Sequence, residues 1–331
     1  MILICFNQVS FGQKKLIDIE KSNEYKTYAF PVTSEKPENI IILSVDKVDW
    51  RNIEQLKSYK NVQMLRFSNC DFSDLIINFD LFPLLQSIYT YECRFDTIVF
   101  KGNAANFKEL FIYEKHLSNY NFLSDLKNLQ GLYLSDQNTI DLDNLMANLT
   151  PLTALNSLYL SDGNISKLPE SFSKIKRLDW LSLRYMDSTF DYNYNFNILK
   201  NMEIVNLDLM FNYGTSVLTS EIKVLKNIKK LHMGNTAFGA LPEEIGELTQ
   251  LEELNMSMCE ISDLPKSIVK LVNLKKLMLM PCKFTVIPDV LFEMVWLQEL
   301  EVGGEEWFPN KEELKPIRKK LKNTKVNTFF E

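Results

Sequence analysis

The sequence predicts an α/β solenoid of about twelve short repeats that share one parallel β-sheet. Three observations predict it. A frame of apolar residues, L-x-x-L-x-L, recurs along the chain; it recurs at near-constant spacing; and each copy is too short to bury its own apolar face. From Leu251 the chain reads LEELNMSMCEISDLPKSIVK, and from Leu274 it reads LKKLMLMPCKFTVIPDVLFE. Earlier copies start at Leu155 (LNSLYLSDGNISKLPESF) and Ile228 (IKKLHMGNTAFGALPEEI).

Twelve copies open at Ile40, Val62, Leu85, Phe107, Leu129, Leu155, Leu178, Ile204, Ile228, Leu251, Leu274 and Leu297. The steps between them run 22, 23, 22, 22, 26, 23, 26, 24, 23, 23 and 23 residues. The two 26-residue steps mark insertions near Asp141–Asn148 and Asp187–Asn197. Within each copy the alternation of the last two leucines with polar residues is that of a strand with one buried face. A tight turn follows. Further inward anchors, such as Ile261, Leu264, Ile268 and Leu271, occupy the second half of a copy. Pro169, Pro242, Pro265 and Pro288 hold the residue before them extended, so short helical or irregular segments are expected there.

This pattern resembles the leucine-rich repeat family, in its intracellular, bacterial-type form. The resemblance covers roughly 40–306. It implies a curved horseshoe with the sheet on the concave side, short helical or irregular segments on the convex side, and a cap at each end. Residues 1–39 fit no copy; Leu16–Ile19 and Tyr25–Phe30 read as a hairpin cap. Residues 307–331 read as a helix, with Asn310 as N-cap and Leu314, Ile317 and Leu321 as its apolar stripe, followed by a strand over Val326–Phe330. Family copies carry Asn or Cys at the ninth position, where the side chain bonds backbone inside the turn. Here that column holds Cys70, Cys93, Cys259 and Cys282, four of the five cysteines, with Asn212 and Thr236. Buried thiols are therefore expected, rather than a metal site or disulfides.

The composition excludes several classes. The chain has 331 residues, 43 acidic and 37 basic, a net charge of −6 and 46% apolar residues. Disorder and collagen fit poorly. A nucleic-acid or anionic-membrane surface would need clustered Lys and Arg, so neither is expected as a partner. No secretory signal or membrane span is expected, and the odd cysteine count suits a reducing compartment, which points to the cytoplasm. No phosphate loop, dinucleotide fingerprint, zinc-helix or serine-elbow motif occurs. His116 sits in a turn and His232 is expected to face outward, neither with a nucleophile at a readable spacing. The reading is a non-enzyme, with no catalytic residue, cofactor or metal.

Binding residues follow from the frame. Positions 3, 5, 7 and 8 of each copy are expected to face the concave side of the sheet, where the partner would bind, or its edge. In copies three to six these sixteen positions include six aromatic and five acidic residues and no basic one. The expected contact set is Tyr89, Tyr91, Phe111, Tyr113, Glu114, Tyr133, Asp136, Tyr159 and Asp162, continued by Trp180, Arg184, Tyr185, Asp208 and Phe211. Position 5 alone gives Tyr89, Phe111, Tyr133 and Tyr159, a stripe that exposed strands could also carry by propensity alone. An exposed aromatic band usually marks an interaction surface. Across all copies the outer positions hold ten acidic and five basic residues, which suits a basic partner. The expected function is a monomeric protein-binding module. An inhibitor or immunity protein that neutralises a cognate enzyme or toxin is a narrower form of it. An enzyme with an unrecognised site and a self-associating array are the rivals.

Overall fold

The computed structural model describes residues 27–29, 36–47, 56–72, 74–113, 117–135, 140–161, 164–214, 217–304 and 311–328. The chain forms two compact units, Met1–Tyr159 and Leu160–Glu331.

In the first unit the main sheet runs in the order β1 (Thr27–Ala29), β2 (Ile42–Asp46), β3 (Met64–Ser68), β5 (Ser87–Tyr91), β7 (Glu109–Tyr113), β8 (Gly131–Ser135) and β9 (Ser157–Ser161), of which Ser157, Leu158 and Tyr159 belong to this unit. The pairs β1–β2, β2–β3, β3–β5, β5–β7 and β7–β8 are parallel. In the second unit the order is β10 (Arg177–Arg184), β11 (Glu203–Asp208), β12 (Lys230–His232), β13 (Glu253–Asn255), β14 (Lys276–Cys282), β15 (Glu299–Gly304) and β16 (Lys325–Asn327), again parallel. Ten of the twelve copies begin their strand at the third residue of the frame, and β10 and β11 begin one residue before it opens. The frame leucines meet in register: Leu110 opposite Leu132, Leu254 opposite Leu277, Leu277 opposite Leu300. All of these are fully buried, so each copy's core is completed by its neighbours.

The four prolines named above do more than hold an extended residue. Each supplies the carbonyl that closes a five-residue 3-10 helix. Phe172, Ile245, Ile268 and Leu291 donate their amides to Pro169, Pro242, Pro265 and Pro288 at 2.9–3.1 Å. The donor residue is buried each time, so the proline aims one apolar anchor inward. The two 26-residue copies differ: their extra residues wind full α-helices, α1 (Leu142–Leu149) and α2 (Tyr192–Leu199). Asp141 and Asp191 cap them by accepting the amides of Asn144 and Tyr194 at 3.0 Å. An asparagine in each reaches back to the preceding copy. Asn144 accepts the Tyr120 amide at 2.8 Å, and buried Asn195 accepts the Leu168 amide at 2.8 Å while donating to the Ser166 carbonyl.

Copies two and three depart from the expected helical or irregular second half. There the chain forms β4 (Asp74–Asn78) and β6 (Thr97–Lys101), a two-stranded parallel sheet. Leu75, Ile77 and Ile98 are its inward residues. Neither segment contains the proline that opens a 3-10 turn, and both are rich in β-branched residues (Ile76, Ile77, Ile98, Val99), which favour the extended form.

At the ends, Thr27–Ala29 pairs parallel with β2 and so serves as the first strand of the main sheet; Leu16–Ile19, the other expected arm of a hairpin, lies outside the described residues. Helix α3 (Lys311–Lys320) buries Leu314 and Ile317, and Leu321 just beyond it, beside β16, while Asn310 lies outside the description.

The turn after each strand is the repeated joint. Among the described residues, seven non-glycine residues adopt positive φ: Lys47, Asn69, Glu92, Tyr185, Phe211, Asn235 and Met258. All seven hold the eighth position of their copy. This left-handed turn costs a residue with a Cβ about 1–2 kcal/mol. In return it points the amide at the next copy: Lys47 donates to Ser68, Asn69 to Tyr91 and Asn235 to Ser257, at 2.7–3.1 Å. In four copies the ninth residue then bonds backwards, to the sixth-position carbonyl of the preceding copy, whereas Thr236 donates to the sixth carbonyl of its own copy, Met233. Asn212 donates to Leu183 at 2.9 Å, Cys259 to Met233 and Cys282 to Met256 at 3.2 Å, and Cys70 to Val45 at 3.6 Å. Cys70, Cys93, Cys259 and Cys282 are buried free thiols, as the frame predicts; Cys5 is outside the described residues.

Asn212 also accepts the Met186 amide at 2.9 Å. Replacing it by alanine therefore strands two buried backbone groups. Asn212→Ala should destabilise the protein by about 2–4 kcal/mol, whereas Cys282→Ala, which removes only a weak thiol donor from the Met256 carbonyl, should cost less. Chemical denaturation of the two variants measures the difference.

Candidate protein-binding faces

Strand alternation puts the frame leucines on one face and positions 3, 5 and 7 on the other. In β7, Leu110 and Ile112 face the core, while Glu109, Phe111 and Tyr113 face away. The stripe at position 5 is present in the first unit, but its rings do not all remain outward. Phe111 and Tyr133 stack at 4.1 Å with planes 12° apart and are 1% and 4% exposed. Tyr89 lies 6.0 Å from Phe111 and Tyr159 lies 6.3 Å from Tyr133. Neighbouring parallel strands bring the rings to stacking distance, so the middle rings cover one another. Tyr89, Tyr91, Tyr113 and Tyr159 stay partly exposed, and Tyr113 packs on Tyr89 at 5.0 Å.

Gly131 explains how Tyr133 lies down. A Cβ at residue 131 would stand 2.9 Å from the Tyr133 ring, so only glycine leaves room for it. Burial, with the Glu109 carboxylate nearby, pushes the Tyr133 phenol well above its ordinary value, against a Ser157 hydrogen bond that lowers it. The phenol stays neutral and can donate. Glu109 borders the ladder, and Glu92 is exposed on the turn beside Tyr91. Glu114, Asp136 and Asp162, the next members of that eighth-position column, lie outside the described residues, as does His116.

In the second unit the outward positions hold charges that neutralise one another. Arg184, expected as an exposed contact, is 7% exposed; its Nε donates to Asp208 Oδ2 at 2.8 Å, and Asp208 is 1% exposed. The second Asp208 oxygen accepts the Met210 amide at 3.0 Å. Trp180 is 9% exposed and meets His232 edge-on at 5.9 Å. His232 lies on the outer face, as expected, but is buried there: its Nε2 lies 3.1 Å from Glu253 Oε1, while Lys230 holds the other carboxylate oxygen at 2.9 Å. Lys276 pairs with Glu299 at 3.2 Å and Glu301 at 3.7 Å. Four of the ten outer carboxylates are thus matched internally. The acidic surplus counted from the sequence belongs to copies three to six, not to the whole array. Tyr185 and Phe211 stack at 4.9 Å on adjacent turns and are partly exposed.

The sequence reading missed the Lys230–Glu253–His232 cluster. Its trace is the alternation Lys229-Lys230, Glu252-Glu253, Lys275-Lys276 at positions 2 and 3 of successive copies. Gly131, two residues before Tyr133, was a similar clue.

Residues 192–323 match a family model described as a leucine-rich repeat region. The fold is a leucine-rich-repeat solenoid. Solved structures similar to it include a leucine-rich-repeat protein of Leptospira interrogans, at 20% identity over 88% of this chain and 78% of that one, with a TM-score of 0.54. An internalin of Listeria monocytogenes matches at 16% identity over 88% and 81%, TM-score 0.55. The leucine-rich repeats of FLRT2, solved in an octameric complex with latrophilin 3 and Unc5D, match at 18% identity over 81% and 83%, TM-score 0.52. No curated protein matches the chain significantly. Leucine-rich-repeat proteins are typically protein-binding modules, and the fold is generally non-catalytic.

The buried carboxylate gives a pH signature. Burial alone would raise Glu253, but His232 and then Lys230 hold its carboxyl at about 2, below its usual 4.5. A depressed carboxylate stabilises the fold above its unfolded value and loses that contribution as pH falls through the folded one. Stability should therefore drop by up to about 3 kcal/mol between pH 4.5 and 2. Acid titration followed by circular dichroism should show a smaller drop for Glu253→Gln.

Proposed function

We propose that the protein is a non-enzymatic binding module whose first unit holds a basic partner protein on the outer face of its sheet. The observation that carries this reading is the ring ladder Tyr89–Phe111–Tyr133–Tyr159 on the face opposite the leucine core. The inner rings are fixed by stacking, so the partly exposed Tyr89, Tyr91, Tyr113 and Tyr159 offer large contact area at small entropic cost. Glu92 and Glu109 put negative charge beside them, and Glu114, Asp136 and Asp162 hold the eighth position of their copies in the sequence. Such a rim steers a cationic partner. The FLRT2 repeats, solved in a complex with latrophilin 3 and Unc5D, offer a parallel for the fold's use, though not for the partner.

An inhibitor or immunity protein is the same reading with an enzyme or toxin as the partner. The buried free thiols suit a reducing compartment, and we place the protein in the cytoplasm as a monomer when free.

The test is a pull-down with mass spectrometry from cell lysate, comparing wild type with Tyr89→Ala/Tyr159→Ala. These end rings are chosen because removing them leaves the Phe111–Tyr133 stack intact. Wild type should retain a basic protein and the variant should bind it at least tenfold more weakly. Raising salt should slow the association. Equal capture by both proteins would refute the aromatic face. An activity assay on the captured protein separates inhibitor from adaptor.

A further inference from the structure

Charge is not spread evenly along the chain. Residues 311–325 hold seven basic residues and two acidic ones, so this end is positive in a chain whose net charge is −6. They belong to α3, the turn after it and the start of β16, the last strand in the sheet order. Leu314, Ile317 and Leu321 are buried, which turns the lysines to the solvent side: Lys315, Lys319, Lys320 and Lys322 are all exposed. Arg318 donates to the Val326 carbonyl at 3.2 Å, which ties the helix to β16 and fixes where the lysines stand.

Elsewhere in the second unit lysines are set against carboxylates. Lys229 and Lys275 flank Glu252, Lys230 meets Glu253, and Lys276 meets Glu299. At this end only the outer members are matched, Lys315 with Glu312 at 2.6 Å and Lys325 with Glu299 at 3.8 Å. Among the described residues no carboxylate pairs with Lys319, Lys320 or Lys322. A helix dipole favours cations in the last turn, but its effect ends there, and Lys322 lies beyond the helix. Three unpaired cations so close in the chain repel one another, and an anionic partner relieves that repulsion.

We propose that the exposed lysines of α3 and the turn after it form a docking surface for an acidic segment of a partner protein. The apolar stripe of α3 is buried, so the helix has no face to insert into a lipid surface. Neither α3 nor β16 carries an aromatic ring on which bases would stack. From Lys315 to Lys320 the helix rises about 8 Å, the length of two or three residues of an extended chain. A short run of aspartate or glutamate therefore reaches all of these lysines. The surface is opposite in charge to the first unit's face, and the two readings are independent.

The test measures binding of the full-length protein, at low salt, to three probes: a labelled peptide of aspartate and glutamate, a single-stranded oligonucleotide of matched charge, and vesicles containing phosphatidylserine. The peptide should bind best, and added salt should weaken it. Lys319→Gln/Lys320→Gln/Lys322→Gln should weaken peptide binding at least tenfold. Lys226→Gln/Lys266→Gln/Lys270→Gln removes the same charge from other exposed lysines of the unit and should leave binding unchanged, as should Tyr89→Ala/Tyr159→Ala. Lys319→Arg/Lys320→Arg/Lys322→Arg should bind as the wild type does. The proposal is overturned if the peptide does not bind, or if its binding survives the glutamine variant. It is equally overturned if binding falls as far in the control or tyrosine variants, is lost in the arginine variant, or is tighter for the oligonucleotide or the vesicles.

Discussion

The stack depends on a pair of bonds, complete at the turns of copies two, eight and ten, that no copy can make alone. One runs forward, from the amide of the left-handed eighth residue to the next copy's backbone. The other runs backward, from the ninth side chain to the sixth carbonyl of the copy before. Together they saturate the strand ends, where a parallel sheet would otherwise leave buried polar groups unpaired. The leucine core supplies the free energy of stacking, but these bonds set its register. A thiol can fill the ninth position because the acceptor is a single carbonyl; Asn212 fills it more completely because it also accepts an amide.

Most of the fold is legible in the sequence because a repeat states its rule many times. Even the diverged copies that open at Ile40, Val62, Leu85 and Phe107 place their strands where the frame puts them. What could not be read was what depends on neighbours rather than on the motif. The strands Asp74–Asn78 and Thr97–Lys101 replace a 3-10 turn because two adjacent copies are both extended there and can pair. A single copy examined by its spacing offers no such partner.

The contact set was legible as a face but not as a degree of exposure. Alternation places Phe111, Tyr133, Arg184 and Asp208 away from the leucine core, and that assignment rests on strand period alone. Their burial arises sideways, from rings and ion pairs about one strand spacing apart. A column of flat rings covers itself; a column of opposite charges does so too. The two units thus use one scaffold differently. In the first, stacked aromatics leave tyrosines at the margin of the ladder. In the second, charge pairs leave a neutral floor and push the apolar residues to the turns.

The alternation of lysine and glutamate through β12, β13 and β14 has a consequence for how such an array can be assembled and inherited. Near-identical repeats invite misalignment, since a strand skipping one neighbour still finds leucines to pack against. Here a skip would set Lys229 and Lys230 beside Lys275 and Lys276, like charge against like at the closest cross-strand distance. The same arithmetic applies to gene rearrangement. Losing the one copy that opens at Leu251 would bring those lysines together, whereas losing two successive copies would preserve the alternation. The charge ladder therefore gives a repeating structure a parity, by which the strands of the second unit recognise their own order.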